Sequence, residues 1–209
     1  LFPILEKRAY MFSGGIAPTT TRSLEALQRH IDRLTYDADD LYSHTHDDFV
    51  VARRLFAQLI GADEDEIAIT DCTGTGANMA VEMVEPVPGS NVVFDDSAYP
   101  SAAYPWMLPP RAHVERRFVS GRDGLIHLDD LAAAIDENTI AVSVSHVSQT
   151  TGFRHDLAAV AKLAHRHGAV LLVDAMQSVG ALRVDIHEQD VDFLACGAMK
   201  WLLGSSGVG

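Results

Sequence analysis

The chain has 209 residues, of which 47% are hydrophobic, and a formal net charge of −13. That length and apolar content suit one large globular domain with a buried core and argue against a disordered chain. The acidic balance argues against a nucleic-acid partner and a polybasic membrane patch, and no apolar run reaches the roughly 18 residues of a membrane span.

The first residues, "LFPILEKRAYMF", are too short and too charged a stretch for a secretory signal. The two cysteines, Cys72 and Cys196, lie in no Cys-x-x-Cys pair. They form no disulfide framework and no structural zinc site, so a reducing, cytoplasmic setting is the default and no metal is expected.

Residues 21–60 read as two helices, "TRSLEALQRHIDRL" and "DDFVVARRLFAQLIGA". A strand follows at "EIAIT" (66–70), then "TGTGANMAVEMV", a glycine-rich turn opening a helix. "NVVFDD" (91–96) is a strand leading into a loop and helix through "YPSAAYPWM", and "AHVERRFVS" is a further strand. "LDDLAAAID" has helical spacing and "TIAVSVSHV" (139–147) is a strong strand. "HDLAAVAKLAHRHG" is a helix stopped by Gly168 at its C-terminal cap. "AVLLVDA" (169–175) is the apolar run of a strand buried on both faces, and "VDFLACGA" (191–198) is the next strand. Strands alternating with helices at this spacing predict an α/β fold, a mostly parallel sheet with helices on both faces. The ending "GVG" lacks a closing helix or polar cap, so more chain is expected to follow.

In open α/β sheets, ligands sit at the carboxyl ends of the strands. The predicted strands are followed there by Thr73-Gly74-Thr75, by Tyr99, by Gln149, by Asp174 with Gln177, and by Lys200. Each has two readings. The Thr73–Thr75 turn either caps a helix or binds an anion at its N-terminus. It is neither a P-loop, lacking the Gly-Lys-Ser/Thr, nor a dinucleotide fingerprint. Asp174 is either a helix cap or the partner of a cationic heterocycle nitrogen. Lys200, one of three lysines, is either a solvated charge or a desolvated nucleophile for a carbonyl. Tyr99 is either packing or a stacking platform. Taken together, an anion cradle, a flat aromatic, an acid and a lysine meet the demands of pyridoxal 5′-phosphate (PLP).

The run "LLVDAMQSVGALRVDIHEQDVDFLACGAMKWLLGSSGVG" resembles the cofactor signature of class V aminotransferases within the fold-type-I PLP enzymes, the branch that holds cysteine desulfurases and isopenicillin N epimerase-like proteins. The likeness runs from "SGGIAP" to the last glycine. It implies that Lys200 forms the Schiff base, that Asp174 pairs with the pyridinium nitrogen and that Gln177 lies near the phenolic oxygen. Thr73, Gly74 and Thr75 match the phosphate turn, and Gln149 matches an asparagine that faces cofactor or substrate. Tyr99 stands where desulfurases carry a stacking histidine, and Gly14 and Gly15 match a loop near the substrate.

The resemblance also implies an N-terminal segment, 1–20, that contributes to the active site, a PLP-binding large domain over 21–209, a C-terminal small domain outside this sequence, and a homodimer. The reaction it implies acts on an amino-acid substrate through an external aldimine and a Cα carbanion. C–S lyase-like or cysteine-conjugate chemistry leads, with transamination, desulfuration and epimerisation as alternatives and a non-catalytic PLP-binding module as an alternative of another class. Desulfurases usually have His before the lysine, where this chain has Met199. Gly197 replaces a common phosphate-binding Ser, and Cys196, inside a predicted strand, is no catalytic cysteine.

Overall fold

The computed structural model describes residues 1–109 and 111–209. Two long helices come first, α1 (Thr21–Tyr36) and α2 (Leu41–Ile60). Thr20 caps α1 by accepting from the Ser23 N–H at 3.0 Å. Then follow α3 (Thr73–Met83), β1 (Asn91–Asp95), α4 (Pro100–Ala103), β2 (Glu115–Val119), α5 (Leu128–Ala134), β3 (Thr139–Ser145), α6 (Leu157–Arg166), β4 (Val170–Asp174) and β5 (Phe193–Ala195).

The five strands form one parallel sheet in the order β2-β1-β3-β4-β5. The central strands β1, β3 and β4 are largely buried on both sides because helices cover both faces, whereas the edge strand β2, ERRFV, keeps most of its residues exposed. Val93, Val142, Val144, Leu171 and Val173 point into one core layer with Leu157, Val160 and Ala164 of α6 and Leu131 of α5. The alternate residues Val92, Phe94, Ala141 and Leu172 point into the other, with Ala80 and Val81 of α3 and the buried Trp106. This is the two-residue alternation of a strand, with both faces apolar. Truncating a fully buried leucine such as Leu171 to alanine costs about 2–5 kcal/mol.

The α/β sheet and its helices agree with the expectation from the sequence. One predicted strand does not enter the sheet. "EIAIT" opens as a 3₁₀ turn, Glu64–Glu66, and continues as extended chain outside the five strands. Its one ladder-like pair is Thr70 with Gly209, which exchange N–H···O bonds of 2.6 and 2.8 Å. The apolar pattern of 67–70 is that of a strand, but strand structure also needs a backbone partner along its length. The strand expected over 112–120 is trimmed to β2, and the one over 191–198 is trimmed to β5. Gly168 ends α6 as expected, at φ +77°, with its N–H on the His165 carbonyl.

The strand order sets the site. β1, β3, β4 and β5 are successive neighbours, so the segments leaving their carboxyl ends line up along one edge. Ser145 is registered beside Asp174, and Asp174 beside Ala195. α3 packs on β4 and β5 and brings its N-terminus to that edge. Among the described residues, no helix is long and apolar enough to cross a membrane.

Candidate active site

A cavity enclosing about 220 Å³ opens at this edge. Thr73, Gly74, Tyr99, Gln149, Asp174, Gln177 and Lys200 line it, together with Ser101, Ser145 and Met176. Seven of the ten residues singled out in the sequence therefore converge on one space. Thr75, Gly14 and Gly15 do not line it.

Asp174 ends β4 and is only 6% exposed. Its Oδ1 accepts from the Met176 N–H at 2.9 Å, and its Oδ2 accepts from the Ser101 hydroxyl. Burial pushes its carboxyl above the usual range, opposed by the Ser101 and Met176 donors and the charge of Lys200. Lys200 is 7% exposed. Burial lowers its ammonium pKa, and Asp174 partly offsets this. Among the described residues neither group is in an ion pair. The Lys200 Nζ instead stands 5.9 Å from the centre of the Tyr99 ring. A buried acid and a buried amine facing one cavity without a direct ion pair are costly in a merely structural role, because their hydrogen bonds and mutual charge only partly offset the lost solvation.

Lys200 is held by a closed turn. Ala198 N–H bonds the Val208 carbonyl at 2.9 Å, and Gly204 N–H bonds the Ala198 carbonyl at 2.9 Å. Gly180, at φ +92°, lets the β4–β5 connection pass against this turn, since a Cβ there would meet the Trp201 carbonyl oxygen at 2.7 Å.

Thr73 to Thr75 form the first turn of α3, and its cap, Cys72, makes no side-chain capping bond to the backbone N–H groups of that turn. The leading N–H groups of a helix have no intrahelical acceptor, so this end has donors for an anion. Thr75 lies on the turn, its hydroxyl 3.5 Å from Cys72 Sγ and hydrogen-bonded to the Asp71 carboxylate. Met176 lies across the cradle, its Sδ accepting from the Thr73 hydroxyl at 3.4 Å and the Gly197 N–H at 3.2 Å. A Cβ at position 197 would come within 3.0 Å of both the Met176 Cε and the Thr73 Oγ1. Gly197 therefore makes room for Met176, which accounts for the missing serine. The thioether is a weak acceptor that an anion would outcompete.

Gln177 uses both ends of its amide. Nε2 donates to the Gly14 carbonyl at 2.8 Å, and Oε1 accepts from the Trp201 indole at 3.1 Å. Gly14 is thus one hydrogen bond behind the cavity wall. Gly15 packs on the Phe12 ring instead, where a Cβ would lie 2.2 Å from ring carbons. The Ala17 N–H reaches the Met199 carbonyl at 2.9 Å, which ties residues 1–20 to the lysine turn. Tyr99 is 48% exposed, with its backbone N–H on the Ser145 hydroxyl at 2.9 Å. Gln149 is exposed at the rim. Burial pushes the Cys196 thiol up to about 12, with Asp174 adding to the shift, so this cysteine is inert at neutral pH.

Ser101, Ser145 and Met176 escaped the sequence reading. Ser101 lies two residues after Tyr99 and Ser145 at the end of a predicted strand, so position was the one available signal.

The sheet, its lysine turn and its buried acid define the large domain of a fold-type-I PLP enzyme. The chain belongs to the aminotransferase class-V family, whose model matches residues 9–209. It is 30% identical to the uncharacterized aminotransferase YcbU of Bacillus subtilis, over 100% of this chain and 55% of that protein. It is 28% identical to a probable cysteine desulfurase of Methanothermobacter thermautotrophicus, over 99% of this chain and 53% of that protein. Among solved structures, the cystine C–S lyase C-DES in complex with its product cysteine persulfide superposes with a TM-score of 0.93 at 25% identity, covering 100% of this chain and 58% of that one. A C-DES variant with glycine covalently linked to its PLP cofactor superposes at 0.90 and 25% identity, covering 100% of this chain and 57% of that one. The chain thus spans about half the length of the relatives it matches.

Proposed function

We propose that this chain is the cofactor-holding part of an enzyme that acts on the α-amino group of an amino acid, with C–S bond cleavage of a cysteine-type substrate as the reaction. The observation that carries the reading is the pair of buried, unpaired groups, Asp174 and Lys200, facing one cavity. PLP, when bound, supplies an aldehyde for an amine and a ring that withdraws electrons from the substrate Cα.

The residues divide the work. Asp174 Oδ would accept a hydrogen bond from the ring nitrogen and favour a positive charge there. The α3 N-terminus, with Thr73, Gly74 and Thr75, would hold the phosphate in place of the Met176 Sδ contacts. Tyr99 covers one face of the ring. Gln177 reaches the ring's phenolic oxygen by giving up one amide partner, and Gln149 meets cofactor or substrate at the rim. The Lys200 Nζ would be the amine that holds the PLP aldehyde, and its neutral form would be the base for the substrate Cα proton. Burial, by lowering its pKa, raises the neutral fraction both roles need.

Residues 1–20, tied in through Gly14 and Ala17, would support the site from behind Gln177 and the lysine turn, and 21–209 would be the large domain. Met199 leaves no imidazole directly before the lysine, and a cystine C–S lyase superposes with a TM-score of 0.93, so lyase chemistry is placed ahead of desulfuration. The similarity to YcbU favours transamination as the second reading. α1 leaves Leu24, Leu27, Ile31 and Leu34 exposed at helical spacing, which supports a homodimer or a further domain over that stripe. Two free thiols suit a cytoplasmic setting.

A product assay decides the reaction. Protein loaded with PLP and given an S-alkyl cysteine is expected to release pyruvate and ammonia. Accumulation of the pyridoxamine form, reversed by a keto acid, would instead establish transamination. No turnover and no spectral change with any amino acid would overturn the enzymatic reading.

A further inference from the structure

Three ties bind residues 99–102 to the carboxyl ends of β3 and β4. The Tyr99 N–H donates to the Ser145 hydroxyl at 2.9 Å, the Ser143 hydroxyl donates to the Ala102 carbonyl at 2.9 Å, and the Ser101 hydroxyl donates to Asp174 Oδ2. The loop before them is anchored as well. Asp95 Oδ1 accepts from the Ser97 N–H and hydroxyl at 2.9 and 2.6 Å, and Asp95 Oδ2 lies 3.1 Å from His155 Nε2. Asp95 and His155 are both buried. The segment that carries the exposed Tyr99 ring is therefore fixed at both ends.

The Tyr99–Ser145 tie joins two residues of the cavity wall, whereas that of Ser101 ends on the carboxylate read above as the partner of the ring nitrogen. Asp174 Oδ1 is oriented by the Met176 N–H, and Oδ2 by Ser101 alone. A carboxylate oxygen has two lone pairs, so Oδ2 can hold the serine and still accept a ring N–H. We propose that Ser101 is a positioning residue: its hydroxyl orients the Asp174 carboxylate toward the ring nitrogen of the cofactor and locks that acid to the segment carrying Tyr99.

This inference rests on the PLP reading above. It adds a residue that touches the acid and has no bond of its own to the ring. A donor on a carboxylate also favours its ionised form, so loss of Ser101 shifts Asp174 toward the neutral acid that burial already favours. The titratable groups near Asp174 are Lys200 and Cys196 after β5, Tyr99, which lines the same cavity, and His146 after β3, whose backbone N–H donates to the Asp174 carbonyl at 2.9 Å.

The test measures PLP binding to the full chain across the acid-to-neutral range for the parent, Ser101→Ala, Ser101→Thr and Ser101→Val. Thermal unfolding of each apoprotein serves as the folding control. Thr and Val differ in shape by little more than the hydroxyl. Ser101→Ala and Ser101→Val are expected to bind PLP about tenfold more weakly. Their affinity should begin to fall at a higher pH than the parent's as the solution is acidified, and Ser101→Thr should restore both properties. A deaza analogue of PLP, with carbon in place of the ring nitrogen, should bind parent and Ser101→Ala alike, because the nitrogen that Asp174 would hold is gone. Equal binding of PLP by all four proteins would overturn the proposal, as would equal losses for PLP and the deaza analogue. A parent that binds no PLP would overturn the cofactor reading itself.

Discussion

Gly180→Ala is the substitution whose cost can be worked most directly from the structure. Gly180 has φ +92°, a conformation in which an L side chain costs about 1–2 kcal/mol. The added Cβ would also lie 2.7 Å from the Trp201 carbonyl oxygen and 2.8 Å from its carbon. Those are backbone atoms of the turn that carries Lys200, so neither can swing aside as a side-chain tip would. Overpacking of this kind costs about 1–3 kcal/mol. Together the two effects predict a loss of about 2–5 kcal/mol. Gly152→Ala is the matched control, with φ +74° and nothing within 4 Å of the new Cβ, so it should show the backbone cost alone. For a chain of this size about 1 kcal/mol moves Tm by about 2–4 °C. Differential scanning of both variants should place Gly180→Ala well below Gly152→Ala, and PLP titration should show weakened binding in the former only. Equal Tm shifts, or normal PLP binding by Gly180→Ala, would refute the close-approach argument.

Asp174→Asn should separate stability from function. The apoprotein should lose little or no stability, because a costly buried charge is removed, while PLP binding should weaken about tenfold to a hundredfold with the charged hydrogen bond. Chemical denaturation and a PLP titration of the same samples check both halves. His165 lies between Asp192 and Asp190, at 2.7 and 3.1 Å, and the Asp192 bond raises its pKa first and most. A folded-state pKa above the unfolded one contributes stability that is complete below the ordinary histidine value and is lost as pH rises through the raised value. The stability gap between the parent and His165→Gln should therefore be widest in mild acid and narrow toward alkaline pH, as followed by denaturant midpoints.

The sheet was legible wherever an apolar run was buried on both faces. "TIAVSVSHV" and "AVLLVDA" became β3 and β4, with their carboxyl ends side by side as the strand rule requires. "EIAIT" carried a similar pattern and stayed out of the sheet, because composition reports a tendency to pair and the partner belongs to the rest of the molecule. Lys200 and Asp174 were legible only in combination. Singly each had an ordinary reading, as a solvated charge or a helix cap, and it was their place near strand ends beside an anion turn and an aromatic, together with the family resemblance, that pointed to a cofactor. Ser101 was not legible, since a serine in a helical turn has no distinguishing pattern until α4 is laid against β4. The same holds for Met176: its place in the anion cradle depends on the space left by Gly197, twenty-one positions later in the chain. Gly15 matched its motif by position, yet the fold turns it toward Phe12 and away from the cavity.

The central claim is that one amine, Lys200, takes the cofactor. The chain has three lysines, Lys7, Lys162 and Lys200, so chemical trapping can identify the site without ambiguity. The protein is loaded with PLP, reduced with borohydride, digested, and mapped by mass spectrometry. The account predicts the pyridoxyl phosphate mark on Lys200 alone, and its loss together with the yellow colour in Lys200→Ala. A mark on Lys7 or Lys162 at equal yield, or none on any lysine, would contradict it.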